Sequence, residues 1–165
     1  MDLSVRSSCI STKGVFAERD FKRGEVIHQM GGRRLSYLRC VAEILTRHIR
    51  IDDPLQTGRN LYIALDDFSI RFNHSCEANA GIRRECELFA LADIPRGTEI
   101  TFDYSMTVVP SHYSWFWRMS CNCGAPTCRK RIGDLSSVPP TKLRQYVEAS
   151  ALQDYMLNYL RSSTK

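Results

Sequence analysis

Three cysteines stand within eight residues in the segment CNCGAPTC, 121–128, spaced C-x-C-x4-C. A closed structural zinc takes four ligands in a tetrahedron. Read as one side of such a site, the segment needs a fourth ligand from elsewhere in the chain; the other reading is a loop with free thiols. Cys9, Cys40, Cys76 and Cys86 are the candidates. Cys40 falls inside a predicted helix, beside its apolar face, and reads as a small buried hydrophobe. Cys9 and Cys86 have no motif around them. Cys76 lies in RFNHSCEAN, 71–79, a stretch dense in polar side chains directly after a predicted strand. A fold that brought this loop to 121–128 would complete a four-cysteine site, and the residues alone leave the choice open.

The zinc reading depends on a reducing environment. The first residues, MDLSVRSSCIS, lack the charged-then-apolar layout of a secretory signal. The chain is thus expected to be intracellular: cytoplasmic in a prokaryote, nuclear or cytoplasmic in a eukaryote. Disulfides are rare in such compartments, the seven cysteines are an odd number, and Cys121 and Cys123 are too close to bond comfortably to each other. Thiolate coordination of zinc is the expected fate of such a cluster. No apolar run reaches the roughly 18 residues of a membrane span, so no membrane partner is expected. The net charge of +5 is too mild to support nucleic-acid binding. A length of 165 residues fits one domain.

Two stretches resemble each other: VFAERDFKRGEVI, 15–27, and FALADIPRGTEITF, 89–102. Each has an apolar run, an acidic residue, an Arg-Gly step that signals a turn, and a second apolar run. Each reads as a pair of short strands joined by a turn. Between them, LSYLRCVAEILTRHIR, 35–50, carries Leu38, Val41, Ile44, Leu45 and His48-Ile49 at helical spacing and predicts one amphipathic helix, ended by Asp52-Asp53-Pro54. Alternation predicts strands at 61–65 and 100–104, the latter with Ile100, Phe102 and Tyr104 on one face. After Pro139-Pro140, Leu143, Tyr146 and Val147 share one helical face; Leu152, Tyr155, Met156 and Tyr159 share another, half a turn away. This predicts two short helices with a break near Ser150, where Ser150 and Gln153 suit a capping box. No oligomerisation element stands out.

FNHSCEAN at 72–79, GTEITFDYS at 97–105 and CNCGAPTCRK at 121–130 resemble, in order and spacing, the signature segments of the SET-domain methyltransferases with a post-SET tail. STKGVFA at 11–17 is similar to that family's opening S-adenosylmethionine segment. The resemblance covers roughly 10–131. It implies a mainly β protein with short helices: a SET-domain, β-clip-like fold whose knot-like crossing brings 73–76 beside 102–104. It also implies a SET domain over 3–110 and a zinc-binding post-SET segment over 111–132; the helical spacing of the tail adds a C-terminal helical extension over 133–165. The ligands it implies for one structural Zn2+ are Cys76, Cys121, Cys123 and Cys128.

The activity the resemblance implies is methyl transfer from S-adenosylmethionine to a lysine of a protein or peptide substrate. A lysine amine, with an unperturbed pKa near ~10.4, must lose its proton to act as a nucleophile. A dry channel disfavours the ammonium. Amine, methyl carbon and sulfur must then lie nearly in line at about 3–3.5 Å. Aromatic walls accept the lysine stem and favour the sulfonium cation. Tyr104 matches the family's catalytic tyrosine. Phe102 matches a position that influences how many methyl groups are added, phenylalanine tending to leave room for two or three. Tyr62 matches an upstream tyrosine that lines the site. Lys13, Gly14, Val15, Phe16, Tyr62, Arg71, Phe72, Asn73, His74 and Asn122 fall on cofactor-binding positions. The zinc would do no chemistry; its thiolates would staple the tail over the site. Tyr113, Trp115, Phe116 and Trp117 could cover cofactor or substrate, or simply pack.

Thr12-Lys13-Gly14 stands where the family usually has Gly-x-Gly, and Thr12 cannot take glycine-only backbone states. Ala78 replaces a frequent proline. The segment 66–73 is a residue or two shorter than in many relatives, and no pre-SET cysteine cluster is present. Two other readings compete: a catalytically weak zinc-stapled module that binds cofactor or protein partners, and a zinc ribbon that uses Arg118, Arg129, Lys130 and Arg131 on nucleic acid.

Overall fold

The two similar stretches pair with each other along their whole length, and neither folds back on itself. The computed structural model describes residues 2–51, 53–84, 86–110 and 117–163. In it Phe16 bridges Glu99 and Phe21 bridges Ile94, both antiparallel, and Val26 pairs with Phe89. The contacts repeat about a local two-fold axis through Phe21 and Ile94. The Asp20 carboxylate accepts from the Arg96 amide at 2.8 Å, and Asp93 accepts from the Arg23 amide at 2.9 Å. Gly24 N–H donates to Ala90, and Gly97 N–H to Ala17. Both glycines sit in the left-handed region, at φ +85° and +86°, which the turns require. The expected hairpins are therefore corrected. The turns are present, but each strand leaving a turn finds its partner in the other copy, because that arrangement buries Val15, Ala17, Phe21, Ala90, Ile94 and Ile100 in one core.

Strands β1 (Leu3–Ser7) and β2 (Lys13–Ala17) form an antiparallel ribbon. β3 (Val26–Gln29), β7 (Asn73–His74), β8 (Ala80–Arg83), β9 (Glu87–Ala90) and β10 (Thr101–Phe102) form a five-stranded sheet in the order β3-β9-β8-β10-β7. β10 runs parallel to both its neighbours and places Thr101 opposite Asn73 and Phe102 opposite His74. β4 (Gly32–Ser36), β6 (Leu61–Leu65) and β5 (Pro54–Gly58) form a third sheet, and β11 (Met119–Ser120) with β12 (Arg131–Ile132) a small fourth one. The mainly β architecture with short helices matches the expectation.

The expected 35–50 helix shrinks to α1 (Tyr37–Leu45). Leu35 belongs to β4, opposite Tyr62. The Ser36 hydroxyl caps the helix by accepting from the Arg39 amide, and Arg47 leaves it at φ +60°. Asp52 lies outside the described residues. The buried face also differs. Cys40 and Glu43 are covered, whereas Leu38 and Leu45 are 78% and 77% exposed. Glu43 is covered because Arg33 and Arg39 clamp its carboxylate at 2.5 and 2.7 Å. Periodicity says which residues share a face; the sheet beneath decides which face it takes.

The strand over 100–104 ends at Phe102, because the Asp103 carboxylate accepts from the Ser105 amide and starts a 3-10 turn over Tyr104–Thr107. The C-terminal segment forms α2 (Pro140–Glu148) and α3 (Asp154–Ser163). The break at Ser150 is a Schellman motif. Ser150 has φ +54°, its amide donates to Val147, and the Ala151 amide donates to Tyr146. No capping box forms: the Gln153 side chain is buried and turns toward the Cys86 sulfur at 3.6 Å. The two helices and the connection between them cover Phe89 and Met106 through Tyr146, Leu152 and Met156. No helix among the described residues is long and apolar enough to cross a membrane.

Candidate active site and metal centre

The sulfurs of Cys76, Cys121, Cys123 and Cys128 lie within 4.8 Å of one another. The Cys76–Cys121 separation of 3.8 Å equals the edge, about 3.8 Å, of a tetrahedron with Zn–S bonds of about 2.3 Å. Backbone amides of Arg129 and Lys130 donate to the sulfurs of Cys76 and Cys128, each at 3.4 Å, as suits thiolates held by a metal. The β11–β12 pair closes the ends of this loop, and Gly124 and Lys130 turn it with φ of +71° and +62°. Four soft donors with this spacing fit one structural zinc. Cys40 and Cys86 are buried elsewhere and Cys9 is exposed, so the choice of fourth ligand is resolved by tertiary contact.

Cys76 also ties the metal centre to the strand crossing. The Nε2 of His74 lies 3.4 Å from the Cys76 sulfur, while its Nδ1 accepts from the Tyr104 amide at 3.2 Å. Burial pushes His74 down to about 4, so the ring is neutral and can serve one side as donor and the other as acceptor. Its edge meets the Tyr104 ring, and the Phe102 and Tyr104 rings are 4.7 Å apart. The Tyr104 hydroxyl donates to the Phe72 carbonyl at 2.6 Å.

The opening segment docks against the same crossing. The Asn73 amide nitrogen donates to the Lys13 carbonyl at 2.8 Å and to Glu99 at 2.6 Å. The Ser8 hydroxyl holds the same carboxylate at 2.8 and 2.9 Å. A side chain at Gly14 would place a Cβ 2.1 Å from Glu99 Oε1 and 2.9 Å from Asn73 Nδ2. Gly14 is thus needed for close approach, and Thr12 is not asked for a glycine conformation, since its φ is not positive.

Lys13, Gly14, Phe72, Asn73, His74, Phe102 and Tyr104 come together around the crossing, next to the metal centre. Val15 and Phe72 are sealed in the main core, Phe16 and Arg71 are half-buried, and Lys13 and Asn122 are exposed. Tyr62 packs in a separate cluster with Leu35, Cys40 and Ala64, its ring 6.3 Å from Tyr37, and burial raises it to about 12. Trp117 is half-buried against the cysteine cluster; Tyr113, Trp115 and Phe116 lie outside the described residues. Sequence reasoning passed over Glu99 and Asp103, and it read Arg129 only as a basic residue near the metal, whereas its guanidinium is paired with buried Asp103. All three stand inside the quoted motifs, but a buried charge shows itself only through its partners.

A family model for the SET domain matches residues 12–105, more than half of the chain, and the chain belongs to that family. Among curated relatives, human Histone-lysine N-methyltransferase 2B is 28% identical over 151 residues, covering 78% of this chain and 5% of that protein. The Candida albicans Histone-lysine N-methyltransferase, H3 lysine-36 specific, is 30% identical over 152 residues, covering 84% of this chain and 17% of that protein. The chain thus spans only a small part of these relatives. Among solved structures, KRYPTONITE in complex with mCHG DNA and SAH superposes with a TM-score of 0.59 at 22% identity, covering 79% of this chain and 28% of that one; this shows a shared fold.

Proposed function

We propose that the chain is a protein-lysine N-methyltransferase that uses S-adenosylmethionine, with a histone as its substrate. The observation that carries this is the Tyr104 hydroxyl, held on the Phe72 carbonyl at the crossing where Asn73 grips the Lys13 carbonyl. Bound S-adenosylmethionine supplies an electrophilic methyl group. Lys13, Gly14, Phe16, Arg71, His74 and Asn122 would hold it, and Val15 and Phe72 would support that cradle from the core. Asn73 acts by holding the Lys13–Gly14 backbone in place. Arg71 and Lys13 suit its carboxylate end.

Phe102 and Tyr104 wall the lysine stem and exclude water, which favours the neutral amine. Tyr104 orients that amine, with Tyr62 as a further wall. The amine nitrogen forms a bond to the methyl carbon as the carbon–sulfur bond breaks. The proton lost beforehand leaves to solvent, and the products are methylated lysine and S-adenosylhomocysteine. Phe102 carries no hydroxyl to hold a partly methylated amine, which suits di- or trimethylation. The histone assignment rests on the relatives' names, and a nuclear or cytoplasmic setting follows from it. The mild net charge of +5 gives nucleic acid no part in this reading.

The test is purified protein with methyl-labelled S-adenosylmethionine, a panel of histones and cell lysate, and Tyr104→Phe beside the wild type. Label entering a protein band, and falling sharply in the variant, is expected. Thermal stabilisation by S-adenosylhomocysteine with no label in any protein would favour the binding-module reading instead.

A further inference from the structure

Asp103 has no exposed side-chain surface. A buried carboxylate is costly unless it is paired and hydrogen-bonded. Here it is met from separate parts of the chain. Arg129 Nη2 donates to its Oδ1 at 2.6 Å, as does the Ser105 amide at 3.1 Å, and the Tyr146 hydroxyl lies 3.5 Å from Oδ2. Arg129 comes from the metal-binding loop, and its own amide rests on the Cys76 sulfur. Its guanidinium also reaches the Ser105 hydroxyl at 3.3 Å. One residue therefore has its backbone on a ligand of the metal centre and its side chain on the residue preceding Tyr104.

We propose that Arg129 is a positioning residue: it couples the seating of segment 121–128 to the placement of Tyr104. The planar guanidinium is held in a directional, charge-assisted contact. If the metal loop shifts, Arg129 is drawn from Asp103, and the turn that carries Tyr104 loses the one of its anchors that comes from the metal loop. The tyrosine is then held for reaction only while the loop is in place. Charge neutralisation alone makes a different prediction, because exchanging both partners for neutral residues would then leave Tyr104 undisturbed.

The kcat arm of the test rests on the methyltransferase reading; the exchange arm does not. The full chain is prepared as wild type, Arg129→Met, Arg129→Lys and the pair D103N/R129M, which leaves no orphan buried charge. Zinc per chain, amide hydrogen exchange over 101–107 and steady-state kinetics are measured. In zinc-loaded Arg129→Met and D103N/R129M, exchange over 101–107 rises at least about tenfold while β8 and β9 stay protected. Displacement of a positioning contact lowers kcat at least about tenfold, with KM within about threefold. Arg129→Lys falls between these and the wild type. Wild-type exchange over 101–107 in the zinc-loaded pair would overturn the proposal, as would loss of zinc from it, or loss of β8–β9 protection. A wild type that methylates nothing counts against the methyltransferase reading alone and leaves the exchange outcome to decide this one.

Discussion

The Tyr104 hydroxyl donates a 2.6 Å hydrogen bond to the Phe72 carbonyl, which joins the turn after β10 to the residue just before β7. The bond spans the crossing and fixes the Tyr104 hydroxyl there. Tyr104→Phe removes that donor while keeping the ring packed against Phe102. A lost hydrogen bond costs about 1 kcal/mol of stability, whereas loss of an orienting group lowers transfer by about 100-fold or more. Label transfer and thermal melting, run together, should show a large loss of the first and a small shift in the second.

Gly14→Ala should weaken cofactor binding. Its Cβ would meet both Glu99 and Asn73 inside normal contact distance, so the Lys13–Gly14 backbone must move from its place beside Asn73. The dissociation constant for S-adenosylhomocysteine, measured by calorimetry, should rise at least about tenfold, since a displacement of about 1 Å commonly costs that much or more. Shortening the obstacle with Glu99→Asp in the same protein should recover part of the loss.

The cysteines should separate into two groups. Cys76→Ser, Cys121→Ser, Cys123→Ser or Cys128→Ser removes one of the four clustered sulfurs, and zinc affinity should fall by at least about 100-fold, more than loss of a supporting contact costs. Cys9→Ser, at an exposed position, should bind one zinc per chain as the wild type does. Competition with a chromophoric chelator reads both.

Glu43 should contribute to stability above its unfolded-state pKa and lose that contribution in acid. The Arg33 and Arg39 guanidiniums hold it down at about 2, from 4.5. A depressed carboxyl stabilises the fold when both states are ionised, and the effect disappears as pH falls from about 4.5 through about 2. Glu43→Gln should therefore melt below the wild type at pH 7, with the difference shrinking over that window.

Ser150→Gly should raise stability by about 0.5 kcal/mol. The left-handed φ of +54° strains a side-chain-bearing residue by about 1 kcal/mol or more, and glycine relieves this at a smaller cost in unfolded-chain entropy. Chemical denaturation would show a higher midpoint at an unchanged slope.

The sequence by itself determined what depends on neighbours along the chain. The three closely spaced cysteines, the glycine turns at Gly24 and Gly97, the 61–65 strand and the break at Ser150 all follow from local stereochemistry, and motif resemblance added the family and its fourth cysteine. Only the tertiary structure decided what depends on distant partners. The two similar stretches pair with each other instead of forming hairpins, because their apolar residues are buried only when joined. α1 shows Leu38 and Leu45 to solvent because the β4-β6-β5 sheet, with Arg33 of β4 on Glu43, takes its other side. Gln153 leaves its capping role for the core. Asp103, Glu99 and Arg129 gain meaning only from groups tens of residues away, since a charge can be buried only where the fold delivers its counter-charge or its donors.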